Sequence, residues 1–393
     1  MPRSHPLAPA IVWAVFALSA TACGSGEAGG VRVETTDSAG VVIVRNLSPD
    51  RPLAFTSEAV RSLGGKETEE ESFYRVGSWN VGTDASGNIY VLDREAHRVH
   101  AFDSAGHHLW TRGRQGGGPG ELQHPFALAV AGDGRLWVVD IGKRSLVHWD
   151  PTGELLPSEL VPQGYYGGEA KWTSAGMVMP LQDPASGADR LVLLTGDSQQ
   201  VVLSSIPATD RKPIHFESCG MTFSGMPPIF SPSLVWTASA RAVVVARSPE
   251  YMLDVYEDGR LVRSVRRDVP PRPATAELAR ASLGDGMRVG TPMGERVCDP
   301  EEAVEQRGFA PHLPTVGRIA LAPTGLLWVE RYDVGDEPKP IDVFDREGRY
   351  LGTLPAGSPF PIAFLPDGRI LVAEKDELDV ERLVVKTASF PEW

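Results

Sequence analysis

A small residue, glycine in five copies and Ala240 in the other, followed by a short apolar run recurs six times along this chain, and that recurrence restricts the fold more than any other feature. Gly87-Asn88-Ile89-Tyr90-Val91-Leu92-Asp93 returns as Gly134-Arg135-Leu136-Trp137-Val138-Val139-Asp140. It returns again as Gly325-Leu326-Leu327-Trp328-Val329-Glu330 and as Gly368-Arg369-Ile370-Leu371-Val372-Ala373-Glu374, with weaker copies starting at Gly176 and Ala240. A second mark keeps step with the first. Phe102-Asp103-Ser104-Ala105-Gly106 and Trp149-Asp150-Pro151-Thr152-Gly153 each end 19 residues after the unit's first residue, as does Tyr256-Glu257-Asp258-Gly259; Phe344-Asp345-Arg346-Glu347-Gly348 ends 23 after it. The apolar runs are short, β-branched and aromatic, as buried strands require. The second mark is a turn, because Asp accepts bonds from turn amides and Gly supplies positive φ.

Unit starts lie 47, 42, 64, 85 and 43 residues apart. A repeat of about 40–50 residues suits one four-stranded propeller blade. The expected fold is therefore all-β: a six-bladed β-propeller over residues 31–393, with insertions at the two long spacings. Too little chain follows Gly368 for four strands. An N-terminal strand, Val31-Arg32-Val33-Glu34 or Val41-Val42-Ile43-Val44, is expected to close the last blade and cover its edge. The longer insertion, about 268–316 between blades 4 and 5, carries two helix signals. Thr275 can cap one helix; Asp299-Pro300-Glu301-Glu302 caps a second, with Gly308 as its stop.

Residues 1–22 read as a lipoprotein signal peptide. Arg3 precedes an apolar core from Ile11 to Ala20, too short to span a bilayer, and Ala20-Thr21-Ala22-Cys23 resembles a lipobox with Cys23 as the lipidated residue. A plain signal peptide cut near Ala22 is the alternative. Residues 23–30 form a Gly/Ser-rich tether. Loss of Arg3 with residues 1–22 takes the 38 basic residues to 37 against 51 acidic, a net charge of −14. Such a chain repels nucleic acid, so no nucleic-acid partner is expected. The expected address is extracytoplasmic, at the outer membrane or periplasmic face of the envelope, as a monomer.

The stretch from Tyr90 to Gly106 resembles an NHL-type repeat. Three further segments resemble the bacterial six-bladed β-propeller lipoproteins: Asp37-Ser38-Ala39-Gly40-Val41, Gly116-Gly117-Gly118-Pro119-Gly120-Glu121-Leu122, and Asp376-Glu377-Leu378-Asp379-Val380-Glu381-Arg382. The likeness spans roughly residues 31–390. It implies fold and location and says little about activity, since propellers host unrelated functions.

Several motifs have plainer readings than chemistry. Gly113 to Gly120 lacks a Gly-Lys-Ser/Thr ending and reads as a connector between blades. Asp93 and Asp140 recur at equivalent positions and read as turn residues. Asp183, Ser186 and Asp189 could offer oxygen ligands but match no calcium loop. Neither a Gly-x-Ser-x-Gly elbow nor a His-Glu-x-x-His pair occurs in the sequence. Cys219 and Cys298 are the two thiols besides Cys23; an even count in an oxidising compartment points to one disulfide, with two free thiols as the alternative.

The candidate ligand-binding residues precede the strands that line a propeller's channel: Arg75, His124, Lys171 and His312, with an aromatic group of Tyr165, Tyr166 and Trp172. Aromatics there can stack on sugars, anchor a partner protein, or fill the space between blades. The expected function is non-catalytic binding of a protein or glycan ligand, without a cofactor or a metal. Two other classes stand beside it. One is a lactonase-like metal-dependent hydrolase or lyase using His124 and His312; the other is a structural envelope component.

Overall fold

Each copy of the repeat supplies the second strand of a four-stranded antiparallel sheet. The Asp-x-x-Gly mark supplies the turn between the third and fourth strands. Asp103, Asp150 and Asp345 each accept a bond from the backbone N–H four residues on, all at 2.8 Å. The glycines Gly106, Gly153 and Gly348 in those turns have φ of 78°, 82° and 83°. The same turn is thus built three times from the same two residue types.

The computed structural model describes residues 32–64, 73, 75–195, 200–208, 213–223, 225–291, 294–375 and 381–390. The expected signal peptide, Cys23 and the expected tether lie outside them, and so do Asp376 to Val380. Six blades follow one another around a channel: 81–112, 125–160, 171–206, 235–267, 316–353, and a sixth of Ala363–Phe364, Ile370–Lys375 and Glu381–Ser389 completed from the N-terminal region. Six apolar clusters hold the ring, one between each pair of neighbouring blades. The cluster joining blade 6 to blade 1 includes Leu63, Phe73, Val91 and Leu383 and closes the circle.

The closing strand is not either of the two expected. Three N-terminal strands are β1 (Val33–Ser38), β2 (Val41–Asn46) and β3 (Thr56–Leu63). It is β3 that pairs with Glu381–Ser389 as the outer strand of blade 6. β2 runs parallel to the outer strand of blade 4, Arg260–Arg267, and β1 pairs onto β2, so blade 4 has six strands. Between them, Leu53 N donates to Thr353 O and Thr353 N to Arg51 O, each at 2.8 Å, on the outer strand of blade 5. The N-terminal segment is a belt over the outer edges of blades 4, 5 and 6. The physical reason for the difference lies in exposure. An outer strand faces solvent, so Thr56-Ser57-Glu58-Ala59-Val60-Arg61-Ser62-Leu63 needs no apolar pattern, and only Leu63 is buried.

Asn46 fastens the belt between two blades. Its amide donates to Arg266 O at 3.2 Å on blade 4 and to Gly348 O at 3.0 Å on blade 5. Its carbonyl accepts from Tyr350 N at 2.7 Å.

Both long insertions connect the outer strand of one blade to the inner strand of the next. That places them on one face of the ring, here the connector face. They combine into a small unit. α1 (Ala276–Ala281) is capped by Thr275, and α2 (Pro300–Arg307) by Asp299. A hairpin of Met287–Thr291 and Gly294–Cys298 packs with a second hairpin, Ile214–Phe216 and Met221–Phe223, around buried Phe216, Cys298 and Ala303. Cys219 and Cys298 form a disulfide with Cα atoms 4.8 Å apart. The Glu302 carboxylate on α2 accepts from Glu217 N at 2.6 Å and Ser218 N at 3.0 Å, a second tie between the insertions.

Candidate functional site

The first strand of each blade lines a central channel of about 1050 Å³. Its wall is mostly apolar, with Leu128, Val130, Val235, Ile319 and Leu321 contributing, because inner strands pack against neighbouring blades and leave one face to the channel. A cavity this size at a propeller axis holds a small molecule or a chain projecting from a partner.

Polar and aromatic groups gather at the connector face. Asn80, 2% exposed, organises the connector before blade 1. It donates to Arg75 O at 2.9 Å and to Leu92 O at 2.8 Å, and accepts from Gly77 N at 2.7 Å. That fixes Trp79, which is 42% exposed, at the channel mouth. Trp79 packs on Phe126 at 5.5 Å, and Phe126 meets Tyr165 edge-on at 6.3 Å. Across the mouth, Ser78 Oγ donates to the Glu169 carboxylate, whose other oxygen pairs with Lys171 Nζ at 3.2 Å.

A second cavity of about 620 Å³ opens beside the mouth, toward blades 5, 6 and 1. It shares Ser78, Trp79, Arg318, Phe360 and Ile362 with the channel, so the two adjoin. Four cations line it, Arg75, Arg94, Arg318 and Lys386, against one carboxylate, Glu374. The Arg318 guanidinium forks onto Glu330 and lies 4.4 Å from the Phe360 ring centroid. This positive lining stands in a chain of net charge −13.

The sequence candidates divide. Lys171, Trp172 and Tyr166 line the channel, and Arg75 lines the side cavity. Tyr166 is 54% exposed. Tyr165 is a filler: its hydroxyl donates to Gly168 O at 2.7 Å, and burial pushes its pKa well above the usual phenol range. Trp172 has both roles. It stacks on Trp137 of blade 2 at 4.1 Å and 4° while reaching the channel wall. Both cations chosen from the sequence already have acids, Arg75 with Glu95 at 3.2 Å and Lys171 with Glu169.

His124 and His312 line neither the channel nor the side cavity. His124 is exposed, with its backbone N–H held by Asp140 at 3.0 Å. His312 sits in an isolated bridge to Pro273 at the foot of the insertion. Among the described residues no three His, Cys, Asp or Glu side chains gather as a metal site.

The plainer motif readings match the geometry. Asp93 accepts from Glu95 N and Ala96 N, and Asp140 from Gln123 N, His124 N and Lys143 N. Both organise turns. In the glycine-rich connector, Glu121 accepts from Gly118 N at 2.7 Å and Lys143 Nζ donates to Gly118 O at 2.8 Å, so the loop satisfies itself. Asp183 is occupied by Ser186, Ala185 N and Arg190.

Sequence reasoning missed Trp79, Phe126, Glu169, Arg94, Arg318 and Phe360. Trp79 and Glu169 stand two residues before inner strands, a position that aligning the connectors by blade register would have exposed. Arg94 lies in the turn after the second strand of blade 1, which also faces the connector side and which inspection of connectors alone passes over.

No protein-family model matches the chain, and no curated protein matches its sequence. Solved structures do resemble it in shape. An exported protein from Bacteroides fragilis is similar over 88% of this chain and 99% of its own, at 12% identity and a TM-score of 0.54. A member of the DUF4221 family from Bacteroides vulgatus is similar over 86% of this chain and 100% of its own, at 11% identity and a TM-score of 0.49. At such identities the likeness is one of fold, and the chain is a six-bladed β-propeller.

Proposed function

We propose that this protein is a non-catalytic binding propeller, lipid-anchored through Cys23 at the extracytoplasmic surface, that takes its ligand at the connector-face mouth of the channel. One observation carries the reading. Trp79 and Tyr166, both exposed, frame a mostly apolar channel of about 1050 Å³, with Ser78, Glu169 and Lys171 beside them at that mouth. Exposed aromatics over an apolar cavity give a ligand burial and shape selectivity together. The lipid anchor rests on the Ala20-Thr21-Ala22-Cys23 sequence, and the exported description of the Bacteroides fragilis protein supports the address. Binding is preferred over metal-dependent hydrolysis or lyase chemistry because His124 and His312 are absent from the lining of both cavities.

Two experiments test it. Cys23→Ser should move the protein from the membrane to the soluble extracytoplasmic fraction, and continued pelleting in high salt would refute the anchor. For the mouth, thermal-shift screening of glycans, organic acids and peptides should find ligands that raise the melting temperature of the wild type but not of Trp79→Ala. Turnover of lactone, ester or phosphoester substrates that disappears on substituting a channel residue would show an active site instead.

A further inference from the structure

The side cavity holds a cation that the protein leaves without an acid. Arg75 is paired with Glu95, Arg318 with Glu330, and Lys386 with Glu374 at 2.5 Å. Arg94 differs. Its Nε donates to Pro125 O at 3.2 Å, and its guanidinium carbon lies 4.5 Å from the Phe126 ring centroid. Among the described residues no carboxylate lies within salt-bridge distance of it, and neither terminal amino group has an acceptor. The four lining cations and the three carboxylates that answer them leave one positive charge in excess.

Three constraints act on Arg94 together. The ring beneath and the carbonyl at Nε lock the guanidinium plane, so its two amino groups are presented as a fixed fork. Partial burial disfavours its charge, and its pKa is pulled below the ordinary guanidinium value by desolvation. A half-buried fork with unused donors is a costly arrangement unless an anion completes it. The same Phe126 ring packs on Trp79, which the side cavity and the channel share.

Resting on the binding reading above, we propose that Arg94 is the anchor for the carboxylate of a small organic acid. The acid's apolar or aromatic body passes Trp79 into the central channel. The carboxylate fits because it accepts two parallel N–H bonds from one guanidinium and brings the single negative charge that balances the cavity. The body fits because the channel beyond Trp79 is walled by apolar side chains. Nothing is transformed: the acid binds as its anion and leaves as its anion.

The test uses matched probes on the soluble domain: decanoate against decan-1-ol, and indole-3-butyrate against 4-(indol-3-yl)butan-1-ol, followed by calorimetry and saturation-transfer NMR. Each acid should bind about tenfold or more tightly than its alcohol, as befits bonds to a charged group. Arg94→Gln should erase that preference, and Arg94→Lys should retain only part of it. A melting curve for each variant shows that the domain is folded. Equal binding of acid and alcohol, or an acid preference unchanged in Arg94→Gln, would overturn the anchor. In either case, alcohol binding that is lost in Trp79→Ala would leave the channel-binding reading standing. No binding by any of the four probes overturns the anchor, and the wider ligand screen then decides the channel reading by itself.

Discussion

Arg267 of blade 4 and Asp342 of blade 5 form an ion pair at 2.9 Å with side chains 2% and 0% exposed. The pair has further partners on both sides, and only Arg267 Nε is left without an acceptor. Asp342 also accepts from the Tyr251 hydroxyl at 2.8 Å, from Thr353 Oγ1 at 2.6 Å and from Arg331 at 2.9 Å. The Arg267 guanidinium lies 3.6 Å from the Tyr350 ring centroid and donates to Asp50 of the belt at 2.6 Å. Removing one partner of such a pair strands a buried charge, so Asp342→Ala should lower the unfolding free energy by about 3–5 kcal/mol. Chemical denaturation with urea measures this. A loss below 1 kcal/mol (roughly the surface-pair range) would mean that water reaches the site.

The contribution of Asp50 should depend on pH. Hydrogen bonding to Arg331, opposed by partial burial and helped by Arg267, holds its carboxyl at about 2, below the unfolded value of 3.8. A depressed acid stabilises the fold fully above the unfolded value and loses that contribution as pH falls toward the folded one. Wild type should therefore exceed Asp50→Asn in stability at neutral pH and converge with it between pH 3.8 and about 2. Because the side chain is 57% exposed, the neutral-pH difference should be about 1 kcal/mol or less. A difference that persists unchanged at pH 2 would assign the effect to packing.

The belt has separable parts. Deleting residues 32–45 removes β1 and most of β2 from the edge of blade 4 but leaves β3 in blade 6. The melting temperature should fall while a single cooperative transition remains. Ala59→Pro with Arg61→Pro breaks the β3 ladder opposite Lys386 and Val385, and should cause the larger loss, with aggregation through the bared edge. The reverse order in calorimetry would make β2 the true clasp.

The disulfide should stabilise the insertions more than the blades. It closes a separation of 79 residues, for which chain entropy gives an upper figure of about 4–5 kcal/mol. Much of that span is blade 4, already ordered by its neighbours, so the realised loss in Cys219→Ser/Cys298→Ser should be smaller. Hydrogen exchange should quicken in Met287–Cys298 and α2 before it does in any blade. Two free thiols in denatured, unreduced protein would rule the bond out.

Asn80 should govern the mouth. Replacing it by Ala leaves the N–H of Gly77 and the carbonyls of Arg75 and Leu92 without their partner, at a cost of about 1–3 kcal/mol. Trp79 should become more mobile, visible as a shifted indole resonance and faster acrylamide quenching. An unchanged indole environment would show that Phe126 alone positions Trp79.

The sequence by itself determined the repeat, the blade count and the turns, because each rests on short-range chemistry. An Asp accepting an amide four residues on, a glycine at positive φ, and a run of β-branched residues require the same residue types wherever they occur. The helix caps at Thr275 and Asp299 were legible for the same reason. Tertiary structure alone decided which N-terminal strand closes the ring: β3 carries an ordinary solvent-facing sequence, whereas the apolar Val41 to Val44 belongs against blade 4. It also decided the site. Arg75 and Lys171 looked available until Glu95 and Glu169 were placed beside them, and Arg94 looked like one turn residue among many. Whether a charge is free depends on which side chains the folded blade and its connector set beside it: Glu95 reaches Arg75 and Glu169 reaches Lys171, whereas Arg94 meets a ring and a carbonyl.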